Sequence, residues 1–460
     1  MVQTVDRQSK QKSITMFLLA LFAAAGITFI LKEPGFSDSQ VYVLFLLFFA
    51  IGLWLTEAVP AFAVSLLIIA FLVFALGNEH LNSSPEKIDI YVQTFSSSVI
   101  WLMLGGFFLA VAMTKTKLDE ALFRLTVKMS GPKPRSLLFG LMLTTMLASM
   151  LMSNTATTAM VIASIMPLLA ALDRNSGFTR AVLLGIPIAA ATGGMGTIIG
   201  TPPNAIAVGV LENAGISIGF IDWMKFGVPL ALALTAISYN VLSRRFLHDN
   251  TPLPLTFLEN RENIISDGFI LQRRIVSAVI IVTVALWLTT EFHGIKVAAI
   301  CAVPLTMLTL TGILDSKDVQ ALPWDTLLLV AGGLSLGLAL ENTGLLRHYA
   351  EKLLQFDFST LVLIGIIAFF TMLVSNIMSN TAASTVMIPL GMALLTGYQM
   401  EIGLVVAFAA STAMFLPVSS PPNAVAYSTG LLEIKDFRLG GTLVGLLGPL
   451  LAIAWVFLLR

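Results

Sequence analysis

Long apolar stretches separated by short polar ones dominate this chain. The stretches 13–31, 41–56, 59–77, 97–114, 181–211, 224–243, 275–290, 297–314, 324–343, 402–430 and 439–459 are each near the ~20 residues a helix needs to cross about 30 Å of hydrocarbon. Two stretches do not fit. Residues 135–172 form an almost uncharged run of 38, and residues 359–398 form one of 40. At ~1.5 Å per residue the first would make a helix about 57 Å long, so each is expected to fold back on itself. Only 11% of the residues are charged, against ~25% in a soluble domain, and the mean hydropathy is +0.90. This excludes a soluble enzyme and a disordered chain. Lys+Arg equals Asp+Glu at 26 each, so there is no basic excess to hold a nucleic acid.

Basic residues orient the runs. Arg7, Lys10 and Lys12 precede the first one. The small residues Ala23–Ala25 imitate a signal-peptide cleavage site, but with many spans following, a retained first helix is expected. Lys115, Lys117, Arg124, Lys128, Lys133 and Arg135 stand before the first long run, and Arg174 and Arg180 after it. Both flanks therefore face the cytoplasm, and the run enters and leaves on one side. A re-entrant hairpin and two full passes both satisfy this. With the N-terminus inside, 19 Lys and Arg fall inside and 7 outside. The expected fold is an all-α polytopic membrane protein of about 11 transmembrane helices plus two re-entrant hairpins. Its N-terminus would be cytoplasmic and its C-terminus outside. The single cysteine, Cys301, cannot form an internal disulfide.

The chain repeats itself. Ser149-Met-Leu-Met-Ser-Asn-Thr-Ala156 reappears as Ser375-Asn-Ile-Met-Ser-Asn-Thr-Ala382, with six of eight positions identical at an offset of 226. Gly105-Gly106 recurs as Gly332-Gly333 at 227, and Thr201-Pro-Pro-Asn-Ala205 as Ser420-Pro-Pro-Asn-Ala424 at 219. Chance likeness between apolar segments does not produce shared Asn, Pro and Ser in one order. By charge the first hairpin opens inside and the second outside, so the repeats are inverted. Transporters built this way bind substrate near the midplane, at broken helices.

Ser153-Asn154-Thr155 and Ser379-Asn380-Thr381 are central in the two long runs, at the hairpin tips. Tip backbone at that depth needs protein or a wet cavity around it. Helix capping alone is the plainer role for these residues. Ser149 and Ser375 lie one helical turn before Ser153 and Ser379, on the same face. With the tip Asn oxygens and freed carbonyls, these hydroxyls make a neutral, all-oxygen pocket suited to a hard monovalent cation. The Thr201-Pro202-Pro203-Asn204 and Ser420-Pro421-Pro422-Asn423 segments interrupt 181–211 and 402–430, because two prolines remove two backbone donors. Carbonyls at Gly200 and Ser419 can then face a cation, and the amide ends beyond them an anion. The four histidines, His80, His248, His293 and His348, are read as loop residues. Neither 136–172 nor 359–398 holds an Asp, Glu, Lys or Arg, and Asp357 lies just outside. A proton relay would need such groups at depth.

Paired Ser-Asn-Thr tips, each followed by a (T/S)PPNA break, resemble the divalent anion:sodium symporters, the family of the sodium/dicarboxylate (INDY-type) carriers. The resemblance covers nearly the whole chain. It implies homodimers whose mobile domain moves as an elevator against a scaffold. It implies sodium at Ser149, Ser153, Asn154 and Gly200, and at Ser375, Met378 (backbone), Asn380 and Ser419. It places substrate carboxylates against Asn154, Thr155, Thr201, Ser379, Asn380, Thr381, Ser420 and Pro421. Ser420 departs from the Thr of many members.

The reading is a sodium-coupled symporter of C4-dicarboxylates such as succinate, fumarate or malate, carrying at least two Na⁺ because two cation pockets repeat. Its partners are sodium, a small dicarboxylate and the lipid bilayer of a bacterial inner membrane, with no nucleic acid and no enzymatic activity. Rivals are a cation/proton antiporter, or a citrate- or sulfate-selective or exchanging member of the same architecture. The expected divisions are scaffold helices 1–130, a first transport half 131–245, a cytoplasmic linker 246–274, scaffold helices 275–355 and a second transport half 356–460.

Overall fold

A computed structural model of the chain describes residues 2–83, 85–173, 176–249, 251–254, 267–353 and 358–460. Arg174, Arg261 and Asp357, with residues 250 and 255–266 of the expected linker, lie outside the described residues. Every regular element among the described residues is helical. Nine of these helices are long and apolar enough to cross a membrane.

Two expected crossings are shorter in the structure. The run 59–77 is the 16-residue helix Ala61–Leu76. The run 297–314 is two pieces, Val297–Ile300 and Ala302–Leu310. Pro304 has no N–H for the Ile300 carbonyl, which opens the ladder there. Two helices lie where only polar flanks were expected. Leu118–Ser130 and Leu345–Leu353 are amphipathic, and the second buries Leu345, Leu346 and Ala350 while exposing Arg347, Glu351 and Lys352. His348 is therefore a helix residue, and His293 ends the short helix Thr290–His293.

Both long runs are helix–tip–helix units. Pro134–Ser149 and Asn154–Ala171 pack on each other, as do Thr360–Ser375 and Asn380–Leu394. Both broken helices are broken. Gly177–Gly194 is followed by irregular chain to Thr201 and then by Pro202–Asn213, and Gln399–Ser411 by irregular chain to Ser420 and then by Pro421–Ser428. The prolines do not interrupt a helix but start one. Pro202 and Pro421 take the first helical position, where the missing N–H would be unpaired anyway. The carbonyl ends of the preceding half-helices are thus at Gly194 and Ser411. Gly200 and Ser419 belong to the loops just ahead of the prolines.

The chain forms two compact units. One comprises Met1–Ile100, Ile206–Ser217 and Pro323–Ala410. Its core includes Leu44, Leu53, Ile68 and Leu72 from the N-terminal helices, and Leu336, Ala382 and Ala383 from the second repeat. Within it, a Cβ on Gly332 would come 2.3 Å from the Ser65 Cβ, so that glycine sets a close helix–helix contact. The other unit comprises Trp101–Ala205, Ile218–Leu322 and Ser411–Arg460. Its core joins Leu138, Met142, Ile162 and Ile165 of the first hairpin to Leu184, Ile188, Phe437 and Val444.

Candidate functional site

The two tips have one local structure. Ser153 caps the helix Asn154–Ala171: its backbone is extended (φ −64°, ψ 142°) and its hydroxyl accepts the Ala156 N–H at 3.2 Å. Ser379 caps Asn380–Leu394 with φ −63°, ψ 147° and the Ala382 N–H at 3.2 Å. Capping is therefore part of what the tip serines do. One turn back, buried Ser149 donates to Asn154 Oδ1 at 2.6 Å, and buried Ser375 donates to Asn380 Oδ1 at 2.7 Å. Ser375 Oγ also stands 2.9 Å from the Ala410 carbonyl. Each hydroxyl keeps lone pairs after donating, as does each amide oxygen. The structure thus brings Ser149 to Asn154 and Ser375 to Asn380, in two copies of a neutral oxygen cluster.

The first break lies in the same compact unit as the first tip. Gly194 packs against the Asn154 amide: a Cβ at 194 would be 2.4 Å from Asn154 Oδ1. Gly200 lies over Gly194, where an added Cβ would meet the Gly194 carbonyl oxygen at 2.4 Å. Asn154, Gly194 and Gly200 therefore form one contiguous group. Thr201 is buried at the end of the loop, and Thr197 donates its hydroxyl to the Met150 carbonyl at the tip. Sequence reasoning did not single out Gly194 as a residue of the site. Its role depends on contact with a side chain 40 positions earlier, which no local pattern reports.

Ser419, Ser420 and Pro421 lie in this unit too. Ser420 caps Pro421–Ser428 and accepts the Asn423 N–H at 3.4 Å, while the buried Ser419 accepts the Leu416 N–H at 3.1 Å. Pro421–Ser428 packs on Asn154–Ala171, the second arm of the first hairpin. The remaining predicted residues, Ser375, Met378, Ser379, Asn380 and Thr381, belong to the other unit. There Met378 and Thr381 are buried, Asn380 is half-buried and Ser379 is exposed. Thr155 is half-buried beside Asn154.

No ionisable side chain belongs to a tip or a break. Groups with shifted pKa stand on other elements. The Lys352 ammonium holds the Glu33 carboxyl below its ordinary value against the opposing effect of burial, with a further lowering from His348 at 3.2 Å. Burial pushes the Asp119 carboxyl up. At the tips and the first break the arrangement offers hydroxyl, amide and carbonyl oxygens without a compensating charge. Such a set suits a cation that carries its own charge in and out.

The chain is similar to known transporters. The citrate transporter family model, CitMHS, matches residues 51–406. The sodium-dependent dicarboxylate transporter SdcS of Staphylococcus saprophyticus is 30% identical over 410 residues, covering 82% of this chain and 78% of that protein. SdcS of Staphylococcus aureus is 28% identical over 408 residues, covering 81% and 78%. An uncharacterized transporter of Haemophilus influenzae is 30% identical over 379 residues, covering 76% and 79%. Among solved structures, Neisseria gonorrhoeae MtrF superposes with a TM-score of 0.58 at 13% identity, covering 86% of this chain and 94% of that one. The Alcanivorax borkumensis YdaH transporter gives 0.51 at 14%, covering 87% and 98%. At those identities the likeness is one of fold.

Proposed function

Because the chain belongs to the citrate transporter (CitMHS) family, we propose that it is a sodium-coupled symporter of C4-dicarboxylates such as succinate, fumarate and malate. The observation that carries the reading is the duplicated hydroxyl–amide pair, Ser149–Asn154 and Ser375–Asn380. Each pair offers oxygen dipoles to a sodium ion, and no Lys or Arg lies within 136–172 or 359–398. The sodium-dependent dicarboxylate transporters among its relatives support the same choice of ion and substrate.

In this reading sodium is held by Ser149, Ser153, Asn154 and Gly200, and by Ser375, Met378, Asn380 and Ser419. The dianion lies against Asn154, Thr155, Thr201, Ser379, Asn380, Thr381, Ser420 and Pro421. At least two Na⁺ accompany each dianion, since their charge replaces the basic side chains the site lacks. Helix N-termini add partial positive charge at Pro202 and Pro421. Transport follows an elevator cycle in a homodimer, with the hairpins as re-entrant elements opening to opposite faces of a bacterial inner membrane. The N-terminus is cytoplasmic and the C-terminus outside.

The deciding experiment is uptake of labelled succinate into proteoliposomes, with and without an inward Na⁺ gradient, competed by citrate and sulfate. Uptake that needs sodium and is inhibited only by dicarboxylates is the expected result. Preferential inhibition by citrate would move the assignment to a tricarboxylate carrier. Sodium-driven proton movement without substrate would make the chain an antiporter.

A further inference from the structure

The two breaks share a brace that neither the cation reading nor the anion reading uses. Asn204 is fully buried and donates both hydrogens of its side-chain amide across the first break, to the Gly194 carbonyl at 2.9 Å and the Thr197 carbonyl at 2.7 Å. Asn423 does the same across the second, to the Met414 carbonyl at 3.0 Å and the Leu416 carbonyl at 3.0 Å. The offset of 219 that carries Asn204 onto Asn423 also carries Thr197 onto Leu416. The donor and one of its acceptors thus repeat together.

A polar side chain that merely tidies a loop would pair both of its ends. Asn204 does not: its Oδ1 is buried and has no hydrogen-bond partner. Leaving a buried acceptor unpaired costs free energy, so the donor end decides where this amide sits. Nor can the amide be turned over, because that would set its oxygen against two carbonyl oxygens. Capping is not the explanation either. Asn204 and Asn423 stand at the third helical position, after Pro202-Pro203 and Pro421-Pro422, and they donate where a cap accepts. Proline supplies no N–H at the two positions before each asparagine, so the side chain is the available donor of that turn.

We propose that Asn204 and Asn423 are positioning residues of the transport site, each tying the chain ahead of a break to the first turn of the half-helix after it. In the first break the tie ends on Gly194, the residue packed against Asn154. The tie therefore fixes Gly200 and Thr201 relative to the first tip. In the second it fixes Ser419 and Ser420 between Leu416 and Pro421. The inference rests on the symporter reading for its functional consequence and on the hydrogen bonds alone for the brace.

The test uses Asn204→Asp and Asn423→Asp, which keep the shape but replace both donors by an acceptor. Asn240→Asp, on an exposed helix face, is the control. In sodium-free detergent, backbone hydrogen exchange should quicken ~10-fold in 195–200 for Asn204→Asp alone, and in 414–419 for Asn423→Asp alone. In proteoliposomes the sodium concentration for half-maximal uptake should rise ~10-fold in either variant. The succinate KM should rise as well, because the brace also fixes Thr201 and Ser420, whereas a loss of folded protein would lower the maximal rate and move neither constant. Wild-type exchange at both breaks, or an unmoved sodium requirement, would overturn the proposal. If the Asp variants are not recovered folded, Asn204→Ser and Asn423→Ser, which lose at least one of the two donors, are read the same way. A wild type with no sodium-dependent uptake would refute the symporter reading, and the exchange measurement, which needs neither ion nor substrate, would then decide the brace.

Discussion

Gly194 lies against the side-chain amide of Asn154, so closely that a methyl group there would stand 2.4 Å from Oδ1 and 3.0 Å from Nδ2. Asn154 cannot give way without loosening its bond from Ser149. Gly194→Ala should therefore raise the sodium requirement for uptake ~10-fold or more, since both partners of the oxygen cluster must move. Gly26→Ala, where the added carbon meets nothing within 4 Å, should leave uptake unchanged. Sodium titration of both variants in proteoliposomes checks the pair.

Ser149→Ala and Ser375→Ala should each weaken sodium activation more than they alter the order of preference among dicarboxylates. Each removes one hydroxyl from a buried cluster and leaves an amide oxygen without its donor. The expected loss is ~1–3 kcal/mol, roughly 5- to 150-fold in sodium requirement. Unchanged activation curves in both variants would remove these serines from the site.

Membrane sidedness can be read with introduced cysteines, because Cys301 is fully buried and stays silent toward polar thiol reagents. Asp173→Cys, exposed after the first hairpin, should label from the cytoplasmic face, and Thr396→Cys, exposed after the second, from outside. Labelling of both from one face would remove the inverted repeat.

Stability should carry an acid-sensitive increment from Glu33. Its carboxyl is held below its ordinary value by Lys352 and then His348, so the folded state favours the ionised form. That contribution is present above the ordinary carboxylate value and is lost as pH falls through the lowered one. Wild type should melt higher than Glu33→Gln at about pH 7, and the difference should shrink as pH falls below the ordinary carboxylate value. The group is only half-buried, so the difference should also shrink in high salt.

Transport between about pH 6 and pH 8 should follow the ionisation of the substrate, because no ionisable side chain belongs to a tip or a break. Succinate takes up a proton in the acidic part of that range, whereas fumarate stays doubly ionised. Initial rates at fixed sodium and clamped voltage should therefore fall toward low pH for succinate and stay flat for fumarate. A steep fumarate profile would mean that a protein group titrates in the cycle.

The helical class, the two hairpins and the two breaks were legible along the chain, because each is a local matter. Apolar length sets a crossing, a tip serine caps the helix it starts, and Pro-Pro forbids the two hydrogen bonds that would carry a helix through. The helices Leu118–Ser130 and Leu345–Leu353 were not legible, since their charged faces hide a helical period among residues that read as polar flanks. The place of the prolines was misjudged for a related reason. Composition shows that a helix must stop near Pro202 and Pro421, but not that the preceding one has already stopped at Gly194 and Ser411.

What tertiary structure alone decided is which pieces of the two repeats share a compact unit. Sequence similarity pairs each hairpin with the break of its own repeat. The fold instead puts Pro421–Ser428, from the second repeat, against the second arm of the first hairpin. It puts Ile206–Ser217, from the first repeat, in the unit that holds the second hairpin, where Gly403 packs on Leu211. Only local hydrogen bonds and hydropathy are written into a stretch of chain. Which surfaces meet is settled by shape, at contacts such as Gly194 on Asn154, where the absence of one carbon admits one particular neighbour 40 residues away.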